Sequence, residues 1–205
     1  MKYTLLIVVS LIVSITMCSQ NKAIELKLKR NDDKSLTCNY TKELPGSYTV
    51  TIEVNDINNT FAPKLNYVVN NSSGSLFTLD PTDSKRSITF SYRYKYSLGA
   101  TNPKVDSLFT YALPYKEGLN LECRDLKHVN TKYLNKDDPE NYRSFVFMSD
   151  SVVTITAIRK GIVVRVEKEH KIDTTKVYSY SSERNKIIVE HLDGTLAKYE
   201  GFDRN

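Results

Sequence analysis

The chain has 205 residues, with 29 Lys and Arg against 24 Asp and Glu and a net charge of +5. With 40% hydrophobic and 26% charged residues, it is excluded from the wholly disordered, collagen-like and polytopic membrane classes, and its mild basicity leaves no strong footprint for nucleic acid. Fourteen Tyr and seven Phe against seven Gly and no Trp favour an all-β chain built of strands.

Residues 1–20 read as a secretory leader to be set aside before the fold. Lys2 supplies the positive start, Leu5 to Val13 is an apolar run broken only by Ser10, and small or weakly polar residues follow at Thr16 to Ser19. The apolar core is short for a bilayer-spanning helix, which needs about 20 residues. An uncleaved N-terminal anchor is the other reading. Cys18 adds a third: a Cys closing a signal sequence is the lipid-modified first residue of bacterial lipoproteins, although the preceding Met17 is larger than that cleavage favours. The protein is therefore expected to be exported, periplasmic or extracellular, and membrane-attached only if Cys18 is lipidated. Without Cys18, Cys38 and Cys123 remain. In an oxidising compartment they can pair and close a long loop, and two buried free thiols are the equal alternative.

From Ala23 the sequence alternates in short apolar-polar runs: Ala23 to Lys29, Ser35 to Tyr40, Tyr48 to Val54, Lys64 to Val69, Gly74 to Leu79, Ser87 to Tyr96 and Ser107 to Leu113. Turn punctuation separates them, at Asn31 to Lys34, Leu44 to Ser47 and Asp80 to Asp83. This spacing predicts a β-sandwich over residues 21–112. Within it, Tyr92, Tyr94 and Tyr96 fall on one strand face and Arg93 and Lys95 on the other. The alternation fits a row of core tyrosines opposite solvated charges, or a stacking surface for sugar rings opposite a basic one. Asn39, Asn58, Asn70 and Asn71 each begin an N-glycosylation triplet, a pattern that an Asn- and Ser-rich chain also produces by chance.

Residues 113–205 form the second predicted domain. After a polar run from Lys132 to Arg143 come β-like stretches at Ser144 to Met148, Ser151 to Ile158 and Ile162 to Glu167. A polar excursion from His170 to Asn185 follows, then Lys186 to His191, the turn pair Asp193-Gly194, and Thr195 to Tyr199 as a hairpin.

The order of these pieces resembles the lysostaphin-type (LytM-type) zinc metallopeptidases of bacterial envelopes. The string from Val153 through Ala157 and Gly161 to Val166 is similar to that family's pair of strands with A-x-x-x-G between them. Asn185 to Tyr199, with His191, Asp193, Gly194 and Tyr199, resembles its following hairpin, and Leu113-Pro-Tyr-Lys-Glu-Gly118 resembles its lead-in. The resemblance implies a partial lysostaphin-like sheet domain and, in active members, cleavage of peptide cross-bridges by one zinc ion with three protein ligands and an open position.

The same alignment places Tyr142 where the family has its first ligand His and Val146 where it has its ligand Asp, with Met148 on the family's methionine. Gly201 stands where a His follows the hairpin Tyr, and the later His-x-His is not reached before Asn205. Of the other histidines, His191 matches a non-ligand position, His128 lies in a polar segment, and His170 follows Glu167 and Glu169 in a cluster that fits either a weak metal site or a solvated loop. No catalytic residue, cofactor or metal is therefore assigned. The expected function is that of a non-catalytic relative, binding peptidoglycan or a cell-wall hydrolase, with Arg159, Lys160 and Arg165 as guesses for contacts. The alternatives are a fragment of an active zinc metalloendopeptidase and a secreted β-rich scaffold or adhesion protein.

Overall fold

A computed structural model describes residues 23–126, 142–170 and 184–202. The expected leader with Cys18, His128 and most of the two polar excursions lie outside these residues.

The described chain is all-β. Its strands are β1 (Ile24–Arg30), β2 (Leu36–Lys42), β3 (Tyr48–Asn58), β4 (Asn66–Val69), β5 (Ser73–Leu79), β6 (Thr89–Leu98), β7 (Glu122–Asp125), β8 (Phe145–Met148), β9 (Gly161–Glu167), β10 (Lys186–His191) and β11 (Leu196–Glu200). They form small sheets in the orders β1-β2-β5, β4-β3-β6, β7-β8 and β11-β10-β9. The pairs β1·β2, β2·β5, β3·β4, β7·β8, β9·β10 and β10·β11 are antiparallel.

Contacts divide the chain into two compact units. The first takes in the described residues of Met1–Leu44, with Val54–Pro63 and Asn71–Ser91; the second takes in Pro45–Glu53, Lys64–Asn70 and the described residues of Tyr92–Asn205. In the first, the period-two pattern turns Ile24, Leu26, Leu36, Cys38 and Tyr40 inward. Leu36, Leu79 and Ile88 form a buried cluster flanked by Phe77 and Phe90. The β1–β2 turn is locked by its own polar residues. Asp33 accepts from the Ser35 amide (3.0 Å) and hydroxyl (2.6 Å), which draws its carboxyl below the ordinary value. Lys34 takes a left-handed φ of 68° and its ammonium donates to the carbonyls of Ser84 (2.7 Å) and Lys85 (3.1 Å).

In the second unit Tyr48, Val50, Ile52 and Val69 are buried, as are Val164, Ile188, Val189 and Ala197. Tyr96 meets the buried Tyr48 edge to face at 6.1 Å, and Tyr92 stacks on Tyr94 at 6.5 Å. Lys95, of opposite parity on β6, reaches Glu53 at 3.7 Å. Tyr96 thus turns toward the core-forming parity of β3 while Lys95 meets a solvated carboxylate.

Two stretches expected as strands are irregular. The ends of residues 107–113 and 151–158 meet, joined by Ala112 N to Ile158 O (2.9 Å) and Thr156 N to Pro114 O (2.8 Å). A ladder needs each pair to exchange two bonds. Pro114 has no N–H to return, and the Ile158 amide donates instead to the Tyr199 hydroxyl (2.8 Å). Half of each pair is missing, so apolar alternation did not become a strand. Conversely β7, four exposed residues of sequence Glu-Cys-Arg-Asp, forms without any apolar pattern because β8 supplies the partner and the aromatic contacts, Tyr115 on Phe147 at 5.6 Å among them.

Candidate functional site

The hairpin of β10 and β11, with β9 on its other side, holds most of the residues that carry the family resemblance. Asn185, His191, Asp193 and Tyr199 among them each engage neighbouring backbone. Asn185 donates to the Phe202 carbonyl (3.1 Å) and accepts from the His170 amide (3.1 Å), closing the chain entering β10 onto the chain leaving β11. Tyr199, on β11, accepts from Ile158. Gly161 opens β9 where the Glu190 carbonyl approaches so closely that a Cβ would lie 2.4 Å from its oxygen, which only glycine accommodates.

His191 is buried at 4% exposure. Its Nδ1 lies 3.1 Å from the Lys160 carbonyl oxygen. A carbonyl only accepts, so this bond requires the proton on Nδ1; Nε2 has no partner among the described residues. Its ring packs against Tyr111 at 6.1 Å.

Asp193 makes the turn. Its carboxylate accepts from the Thr195 amide (3.0 Å) and hydroxyl (2.7 Å), and from the Arg159 guanidinium at 2.6 Å, both ionic side chains being about nine-tenths buried. Burial alone would raise the Asp193 pKa; the Thr195 and Arg159 hydrogen bonds outweigh it and hold the carboxyl far below the ordinary carboxylate range. Arg159 also lies over the Phe109 ring, 3.9 Å from its centroid, and donates to the Tyr111 hydroxyl (3.4 Å). The irregular stretch from Pro103 to Leu113 is thereby strapped across the hairpin, and Lys104 N adds a bond to Asp193 O at 3.0 Å.

The positions where the resemblance looks for two zinc ligands, and for the further His that follows the hairpin Tyr, are differently occupied. Tyr142 is exposed in the approach to β8, and Val146 is exposed on β8 opposite Arg124. Gly201 follows β11 with a φ of 82° and open space around it. A phenol, an isopropyl group and a bare backbone offer no ligand set for zinc. Among the described residues no three His, Cys, Asp or Glu side chains converge on a metal position. The Glu-x-Glu-His cluster has another use: Glu167 accepts from Lys186 at 2.7 Å, which lowers its pKa, and the His170 amide is held by Asn185. The zinc that serves active members does not fit these residues, and no chemical step is routed through one.

The three guessed contact residues separate. Arg159 is sequestered against Asp193. Arg165 lies near the Tyr48 hydroxyl, whose pKa burial raises, and reaches toward Glu167 at 3.9 Å. Lys160 and Arg165 both keep exposed side chains, and the Lys160 carbonyl holds His191. Cys38 and Cys123 are free thiols. Cys38 is buried on β2 and burial pushes its pKa up to about 11, whereas Cys123 is exposed on β7. The expectation of two buried thiols therefore holds for Cys38 only; β7 has no covering layer. Sequence reading missed the Arg159–Asp193 latch and its Phe109 and Tyr111 backing, since nothing in an irregular stretch 50 residues upstream signals an aromatic seat for a guanidinium.

Comparison with known proteins returns no match: no family model, no curated protein and no solved structure is similar to this chain.

Proposed function

We propose that the chain is an exported, non-catalytic relative of the lysostaphin-like cell-wall metallopeptidases, acting in a bacterial envelope as a binding or regulatory module. In this reading residues 1–20 are a leader, 21–112 a β-sandwich and 113–205 a partial lysostaphin-like sheet, with peptidoglycan or a cell-wall hydrolase as the partner. The supporting observation is the division of labour on the hairpin. Asn185, His191, Asp193 and Tyr199, which carry the resemblance, use their polar atoms to hold adjacent backbone, while Tyr142 and Val146 stand where the chemistry would require ligands and Gly201 where it would require a further His. A fold whose scaffold residues persist after its reactive ones are replaced retains a surface and loses a reaction.

The test is metal analysis of the purified protein combined with co-sedimentation on cell-wall fragments. Sub-stoichiometric zinc with retention on the wall, or on a wall hydrolase immobilised beside it, is expected. Stoichiometric zinc, or clearing of a wall suspension, overturns the reading; absence of retention on both partners removes the binding role.

A further inference from the structure

We propose that the tip of the β10–β11 hairpin, together with the strap that crosses it, inserts into an anionic lipid interface. Leu192 is 102% exposed and Leu108 is 91% exposed, with Val105 at 46%. Turn tips normally carry polar residues, and an exposed leucine on each of two turns, one on the strap and one on the hairpin, is an apolar feature with no counterpart inside the fold. The two turns are held together. Lys104 N donates to Asp193 O at 3.0 Å, and an added Cβ on Gly194 would lie 3.4 Å from the Pro103 Cβ, so Val105 and Leu192 each stand one residue from a joined pair.

The charge around the tip favours headgroups over a neutral protein pocket. Lys104 on the strap and Lys160, whose carbonyl holds the residue before Leu192, both expose their side chains. Of the nearby carboxylates, Asp193 is neutralised by Arg159, and Asp106 accepts from the Leu108 amide at 3.1 Å. One positive charge remains in excess. Convex aliphatic knobs beside lysines suit the boundary between headgroups and acyl chains, and the Arg159 latch holds them in place before binding, so little ordering is required. The inference stands apart from the wall-binding reading.

The chain contains no Trp, so Leu192→Trp and Leu108→Trp each give the full-length protein a single indole reporter. Any leader is common to all variants, so the reading is insertion of the tip and not attachment of the chain. With vesicles of phosphatidylcholine and phosphatidylglycerol, emission of both reporters is expected to shift to the blue and to be quenched by acyl-chain-brominated lipid. Adding Lys104→Glu and Lys160→Glu to Leu192→Trp should raise the lipid needed for half the shift by about tenfold or more. The proposal is overturned if neither reporter shifts, if phosphatidylcholine alone gives the same shift, or if the shift grows with protein concentration without lipid, which would mark a surface buried by another copy.

Discussion

Asp193 and Arg159 face each other with little access to water, so removing one partner strands the other. Asp193→Ala should lower the urea midpoint far more than Glu25→Ala, whose exposed contact with Lys27 at 3.3 Å contributes at most about 1 kcal/mol. The pH dependence has a definite sign. The folded Asp193 carboxyl titrates well below the ordinary aspartate value of 3.8, so its contribution is complete once the unfolded-chain group is ionised and is lost as pH falls through the lower folded value. Asp193→Asn should therefore be less stable than the parent at pH 7 and at pH 5, with the gap closing toward pH 2; urea titrations across that range check it. Cys38 is a second residue whose setting decides its chemistry. A buried thiol titrating near 11 presents almost no thiolate at pH 8, so alkylation of the native protein should mark Cys123 and leave Cys38 until denaturant is added. A linked Cys38–Cys123 peptide in the mass map would contradict this.

At the scale of elements, the hairpin depends on single contacts between sheet and strap. Tyr199→Phe removes the acceptor of the Ile158 amide and should cost about 1 kcal/mol, accompanied by faster hydrogen exchange at Ile158 and little change within β1, β2 and β5. Gly161→Ala drives a methyl into the Glu190 carbonyl, which cannot rotate away, so loss of soluble protein or a sharp fall in melting temperature is expected. Ten of the eleven strands among the described residues overlap an alternating run in the sequence, and in β1 and β2 one parity is buried; Lys186 to His191 agrees residue for residue. Residues 107–113 and 151–158 alternate just as well and fail for reasons that alternation does not encode: a proline without a donor and an amide claimed by a tyrosine far along the chain. Strand β7 was illegible for the converse reason, since its stability comes from across the ladder.

For the whole molecule, the all-β class was legible from composition and turn spacing, while the division into interleaved units was not, because it rests on which distant strands meet. The candidate site was legible as a set of scaffold positions, His191, Asp193 and Gly194 among them, but the sequence could not reveal that Asp193 is tied to Arg159 or that Arg165 reaches Tyr48. Stability is expected to rest on a small number of fully buried side chains. Ile52 and Ile88 are both 0% exposed, and truncating either to Ala should cost about 2–5 kcal/mol in denaturant unfolding, against near-neutral outcomes for Leu108→Ser and Leu192→Ser.

The amide of Asn185 holds Phe202 and His170 at once, and Gly201 N returns a bond to its own carbonyl. The points where the chain departs after β9 and enters β10 are therefore both tied to the sheet through one side chain. Asn185→Ala is therefore expected to release the His170 amide, read as faster hydrogen exchange there, while Gly201 N keeps its backbone acceptor and the hairpin stays in register.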